Sequence, residues 1–256
     1  MRAFVAFLKK EMLEGMRNGK FLLLGILFFA FGVMNPAIAK LTPWMLEIMS
    51  EELAQSGMTV AEVAVDALTS WAQFFKNIPM ALIVVALVYG GSFVKEYESG
   101  SLVLMLTKGL SRSKVVLAKA SLMLLVWSVG YWLCFGVTYA YNAYFWDNSI
   151  AQSLAPAVVY WWLFGVFVIS LMVLFSVLAR GYGAVLLGTG ATVLAIYLLS
   201  LLPKLTKYMP TSLMNSGSLL VGVGKSDEFI AVAVITTVAS VACIVISIPI
   251  FNKKQI

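Results

Sequence analysis

The chain has 256 residues, 61% hydrophobic and only 12% charged, with a formal net charge of +6. A soluble domain carries about 25% charged residues, so the composition excludes a water-soluble globular protein and points to an integral membrane protein. The absence of histidine excludes histidine-ligated metal sites and histidine-based triads. The basic balance does not read as nucleic-acid binding, because the bases flank apolar runs as the positive-inside pattern requires.

Residues 1–20 are basic and amphipathic. Phe4, Leu8 and Met12 recur every four residues on one helical face, with Val5 and Met16 beside them. Lys9, Lys10, Arg17 and Lys20 lie off that stripe, so the pattern predicts an interfacial helix along the cytoplasmic leaflet. No cleavable signal is expected, because the first apolar run is long and lacks a small-residue cleavage site. That run, 21–39, is the first predicted span, with a kink or early stop at Asn35-Pro36. Residues 40–76 form a polar outer segment with acids Glu47, Glu51, Glu52, Glu62 and Asp66. Gly57 is expected to divide it into two short helices, the second opened by a Thr59–Glu62 capping box. Trp44, Trp71, Phe74 and Phe75 suit an interfacial belt, and the segment reads as an outer cap.

The second span is 78–94. Residues 95–114 follow it, with Glu96 and Glu98 first, the apolar Leu102–Leu106 next, and Lys108, Arg112 and Lys114 last. Five apolar residues fall far short of the roughly 20 that cross a bilayer, yet they are too apolar to be left in water. A short helix bounded by glycines is predicted, lying against either the membrane surface or a partner protein. The acids suit the start of that helix, and Ser111 can cap the third span. Arg112 and Lys114 oppose the dipole there, so they need lipid phosphate or an acidic partner surface. An apolar ridge with charges at both ends is also the pattern of helix-in-groove docking.

The third span, 115–144, is longer than the hydrocarbon core requires. Its aromatic outer half, from Tyr131 to Tyr144, suits packing or headgroup contact more than a cargo path. A short outer loop precedes the fourth span, 157–178, and a tight inner turn at 179–183 precedes the fifth, 184–202. Gly188 and Gly190 in the fifth permit close helix approach. Residues 203–228 lie outside and are broken by Pro203, Pro210, Gly217, Gly222 and Gly224, with 212–223 a broken or re-entrant piece. The sixth span is 229–251. Cys134 and Cys243 fall inside spans and read as packing residues. The whole, 1–256, is expected to form one all-α transmembrane domain. Of the eighteen Lys and Arg residues only Lys40, Lys76, Lys204, Lys207 and Lys225 fall on the outer side, which puts both termini in the cytoplasm.

No charged residue lies in the middle of any span, so no proton- or ion-coupling device is evident. Gly222-Val223-Gly224-Lys225-Ser226 looks like a phosphate loop, but Leu219 stands where the first glycine is needed. No nucleophile or paired acids stand out, so the chain is not expected to be an enzyme by itself.

Glu96-x-Glu98-x-Gly100-Ser101-Leu102, then Leu110-Ser111-Arg112 and Lys119, resembles the coupling segment of ABC-2-type permeases, the membrane subunits of a group of ABC exporters. Ser101 replaces the family's usual threonine, and Gly109-Leu110 stands where its proline falls. Lys10-Glu11-Met12-Leu13-Glu14-x-x-Arg17-Asn18-x-Lys20 resembles the family's basic elbow helix. The resemblance implies a half-transporter in a bacterial cell membrane, paired with a second permease copy or paralogue. ATP and magnesium would sit on separate ABC ATP-binding subunits, with no cofactor on this chain. Glu96, Glu98, Gly100, Leu102, Met105, Leu106, Lys108 and Arg112 would form the ATPase-docking segment. The elbow would use Phe4, Leu8, Lys10, Glu11, Met12 and Arg17. Translocation would pass the second and fifth spans, carrying an amphipathic or hydrophobic peptide, lipid or drug. The alternative is a membrane scaffold without transport.

Overall fold

A computed structural model describes residues 2–55, 65–107 and 109–254. They form nine α-helices and three 3₁₀ segments, with no strand among the described residues. The helices are α1 (Arg2–Arg17), α2 (Lys20–Gln55), α3 (Ala67–Tyr89), α4 (Ser92–Glu98), α5 (Ser101–Thr107), α6 (Arg112–Phe145), α7 (Leu154–Leu178), α8 (Tyr182–Ser200) and α9 (Ser226–Lys253). Six stretches are long and apolar enough to cross a membrane: Lys20–Met45, Ala67–Glu98, Arg112–Phe145, Leu154–Leu178, Tyr182–Ser200 and Ser226–Lys253. The start of α6 meets α1 through Lys119 and Glu11, and meets the last turn of α9 through Arg112. Both chain ends therefore share one face of the bundle, called here the terminal face.

The first span does not stop at Asn35-Pro36. Helix α2 runs on through Pro36 and Pro43 to Gln55. Proline 36 has no N–H to offer the carbonyl four residues back, which is that of Gly32. The Thr138 hydroxyl of α6 donates to that carbonyl instead, at 3.1 Å. Asn35 Nδ2 donates to Thr138 Oγ1 at 3.1 Å, and Asn77 Nδ2 of α3 donates to Asn35 Oδ1 at 2.9 Å. A buried polar bridge thus closes the gap left by the proline and ties three spans together. Gly32 lets α6 come this close: a Cβ there would lie 2.8 Å from that of Val137.

The expected pair of short helices in 40–76 is replaced, where described, by extensions of the neighbouring spans. Helix α2 continues to Gln55, and α3 starts at Ala67, capped by Asp66, whose carboxylate accepts from the Thr69 amide at 3.0 Å. Gly57, Thr59 and Glu62 lie outside the described residues. The second span begins earlier than residue 78 and is interrupted at Gly90-Gly91 before α4.

The centre of the bundle is aromatic. Trp71, Trp127, Trp161, Tyr131, Phe28 and Phe74 are fully buried. Trp127 Nε1 donates to the Trp162 carbonyl at 3.1 Å and Tyr131 Oη to the Val158 carbonyl at 2.7 Å, both across helices. Trp127 lies flat against Gly165, where an added Cβ would come within 2.2 Å of its ring. The segment between α8 and α9 includes a long 3₁₀ run, Pro210–Val221, pinned to α7 by Ser216 Oγ donating to the Ala157 carbonyl at 2.8 Å. Helix α8 stands apart, with only Val185 and Thr189 buried.

Candidate functional site

On the terminal face, α1, α4 and α6 meet in a knot of charged side chains. Lys119 of α6 is 2% exposed. Its ammonium reaches Glu11 Oε2 at 2.9 Å, Glu96 Oε2 at 3.3 Å, and the Ser92 hydroxyl and carbonyl at 3.1 and 3.2 Å. Lys10 bridges the other oxygens, at 2.9 Å from Glu11 Oε1, 2.8 Å from Glu96 Oε1 and 3.1 Å from Glu14 Oε2. Lys95 closes the set on Glu14 Oε1 at 3.2 Å. Three carboxylates thus meet three ammonium groups, so the knot carries no net charge. The Phe7 and Phe93 rings flank the Lys119 ammonium at 5.9 and 5.4 Å.

The electrostatics follow from this geometry. Burial alone would push the Glu11 carboxyl up, but the Lys119 charge and the hydrogen bonds from Lys10 and Lys119 outweigh it and hold the group below its ordinary value. Burial likewise pushes the Lys10 ammonium down, and Glu11 and Glu96 reverse that to raise it above the ordinary lysine value. Glu14 is held below its ordinary value by Lys10 and Lys95 against the effect of burial. For Lys10, Glu11 and Glu14 the paired, charged forms are therefore the favoured ones.

Several expectations are corrected here. Glu96 and Glu98 do not open the short helix after them; they end α4, and the reason for an acid at 96 is Lys10 and Lys119. The short apolar helix is α5, set off by Gly100 and Gly109, whose φ values of 63° and 89° are left-handed. Leu102 is buried, and Met105 and Leu106 are half-buried against the same core. The predicted docking ridge therefore faces the protein's own interior, and Glu96 and Leu102 are not presented at the surface. Among the described residues, Lys95, Glu98, Ser99, Val103, Thr107, Gly109 and Ser111 are the exposed ones of this region. Lys108 lies outside the described residues. Ser111 occupies the N-cap of α6 but makes no side-chain cap bond.

Arg112 needs neither lipid nor partner to explain it. Its guanidinium donates to the Phe251 and Asn252 carbonyls, both at 3.1 Å, and to that of Lys254. It thus caps the C-terminus of α9, where the helix dipole favours a cation. Lys254 in turn donates to the Val177 and Ala179 carbonyls at 2.7 and 2.8 Å, capping α7. In α1 the expected stripe is split. Phe4 and Leu8 turn inward with Phe7 and Glu11, whereas Val5, Met12 and Met16 are exposed and Arg17 lies on the outer surface with them.

Farther into the bundle, an apolar cleft of about 550 Å³ opens between α3, α7 and α8. Leu82, Ile83, Trp161, Phe164, Val193 and Tyr197 line it. Among the described residues no cluster of acids and cysteines could hold a metal ion.

Six helices long and apolar enough to cross a membrane, with a lead-in helix α1 ion-paired to the short helix α4 at the terminal face, define a polytopic membrane protein. The chain belongs to the ABC-2 family: the family described as ABC-2 family transporter protein matches residues 5–254. The chain is also 22% identical over 237 residues to the uncharacterized transmembrane protein YxlG of Bacillus subtilis (strain 168), covering 90% of this chain and 89% of that protein. No solved structure matches the chain.

Proposed function

We propose that this chain is the permease subunit of an ATP-driven exporter in a bacterial cell membrane, with its terminal face in the cytoplasm. ATP and magnesium belong to a separate ABC ATP-binding subunit, and two permease copies, or this chain and a paralogue, make the membrane unit. The observation that carries the reading is the buried charged knot. Push on α4 and α5 from the cytoplasm, and the load passes through Glu96 to Lys119 of α6 and to Lys10 and Glu11 of α1 without a soft joint. Pairs of opposite charge in a dry setting resist separation, because breaking one strands a buried charge. The surface offered to the ATPase is then the outer side of α4–α5, centred on Val103 and Thr107, with Glu98 at its edge. The apolar cleft beside α8 supports an amphipathic or hydrophobic cargo, since a site of this size with hydrophobic walls suits such ligands.

The test is co-expression with the cognate ATP-binding protein. Val103→Asp with Thr107→Asp is expected to abolish co-purification while leaving the permease itself folded. Retention of the ATPase at the native level overturns the docking surface. Reconstituted with its partner, the native complex is expected to hydrolyse ATP faster when a transported amphiphile is added. A complex that never responds to any amphiphile would support a scaffold instead.

A further inference from the structure

At the face opposite the termini, the ends of α6 and α7 and the loop between them frame a second, open hollow of about 450 Å³. Tyr139, Trp146 and Leu154 line it, together with Asp147, Asn148 and Ser149 of the connecting loop. The loop is fixed from below. Asn148 Oδ1 accepts from Trp71 Nε1 at 3.1 Å, and Asn148 Nδ2 donates to the Tyr139 carbonyl at 3.3 Å. Trp71 is fully buried and stacks on Phe135, so the loop is anchored to the core of the bundle and the hollow is built in advance of any ligand.

The chemistry of the lining selects a cation. Asp147 accepts from the Ser149 hydroxyl at 2.6 Å and the Ser149 amide at 2.9 Å. These bonds hold its carboxyl below the ordinary value, so it is an anion at neutral pH. No lysine or arginine lines the hollow, and no ion pair neutralises Asp147 among the described residues. A metal ion would need several oxygens in place of its water, and the one carboxylate of the lining, with both oxygens taken up by Ser149, does not supply them. A methylated ammonium has little water to lose and presents its methyl groups to aromatic faces. An internal example stands nearby: Lys40 Nζ lies 3.8 Å from the centre of the Phe145 ring.

We propose that this hollow binds a methylated ammonium head group, with Tyr139 and Trp146 against the methyl groups and Asp147 as counter-ion. A free solute and a lipid can both carry that group. The experiment uses the full chain in maltoside detergent and measures binding of choline and of its uncharged isostere 3,3-dimethylbutan-1-ol by calorimetry or saturation-transfer NMR. Choline is expected to bind on the order of tenfold more tightly than the isostere. Asp147→Asn and Trp146→Leu are each expected to weaken choline by a similar factor with the thermal midpoint unchanged. Should Asp147→Asn disturb the loop, Trp146→Leu decides alone. Nanodiscs distinguish the sources. If added phosphatidylcholine suppresses choline binding relative to phosphatidylglycerol alone, the lipid head group is the occupant; if binding is equal in both, the occupant is a free solute. Equal binding of choline and its isostere, or choline binding indifferent to both substitutions, overturns the proposal.

Discussion

Lys119 is 2% exposed, and its charge is held by Glu11, Glu96 and Ser92 with the Phe7 and Phe93 rings beside it. Lys119→Met leaves two buried carboxylates short of a cation, a change that costs about 3–5 kcal/mol in buried pairs. The expected result is a large drop in the thermal midpoint of the detergent-solubilised protein. Adding Glu11→Gln to Lys119→Met is expected to recover part of that loss, because Lys10 and Lys95 then face Glu14 and Glu96 and the charges balance again. The pH dependence follows from the same groups. Glu11 and Glu14 sit below their ordinary values, so their contribution is present above the unfolded carboxylate range and disappears as pH falls through the folded values. Lys10 sits above its ordinary value of 10.5, so its contribution is present below that pH and is lost as pH rises through the folded value. Through these three groups the thermal midpoint should fall as pH drops through the folded Glu11 and Glu14 values and again as pH rises through the folded Lys10 value. An acid-induced loss of the same size in the Glu11→Gln, Glu14→Gln variant would contradict the assignment. The sequence carried part of this site: Lys10, Glu11 and Glu96 stand in the elbow and coupling patterns. The roles of Glu14, Ser92 and Lys95 were not legible, because their partners lie on other helices far along the chain.

At the scale of elements, the seam between α2 and α6 makes a prediction of its own. Thr138→Val removes the donor to the Gly32 carbonyl and the acceptor for Asn35 Nδ2. Unmade bonds of this kind cost about 1–3 kcal/mol, with the lower part of that range expected between membrane helices. Pro36→Ala restores a backbone N–H facing the Gly32 carbonyl. In the Thr138→Val background it should therefore be markedly less harmful, or more helpful, than in the native chain. Strict additivity in unfolding measurements would show that Thr138 does not stand in for the missing proline bond. At the other end, Gly100→Ala places a Cβ on a backbone of φ 63°, which costs about 1–2 kcal/mol. That change should loosen α5 against the core without touching the charged knot, and hydrogen exchange in 101–107 would report it. The sequence marked both glycines as boundaries, because φ preference is local. It misplaced the helix termini around them, because Glu96 serves a tertiary ion pair and not the dipole of its neighbour.

Across the whole molecule, the terminal face is laced together by reciprocal caps. Arg112 of α6 closes α9, and Lys254 beyond α9 closes α7. The knot binds α1 and α4 to the same α6. A movement of α6 at this face therefore carries four other helices with it, whereas α8 buries few side chains and rests on α7 at Gly188 and Phe175 and on α3 through Tyr182. Arg112→Ala should release the end of α9, and limited proteolysis is expected to cut the C-terminal tail sooner than in the native protein. Unchanged cleavage would show that the caps are not what orders the tail.

The number of spans, the all-helical fold and the family were all decided by the sequence. A crossing segment must satisfy its own backbone hydrogen bonds, and the length and composition of each run suffice to say so. What only the tertiary structure decided is which side of each helix faces its neighbours. In a membrane both lipid and protein interior are apolar, so a helix such as α7, apolar all round, carries no stripe that names its inner face. The burial of Leu102, the pairing of Lys119 with Glu11 and the use of Thr138 in place of a proline's missing N–H depend on contacts between distant residues, and periodicity along one helix cannot encode them.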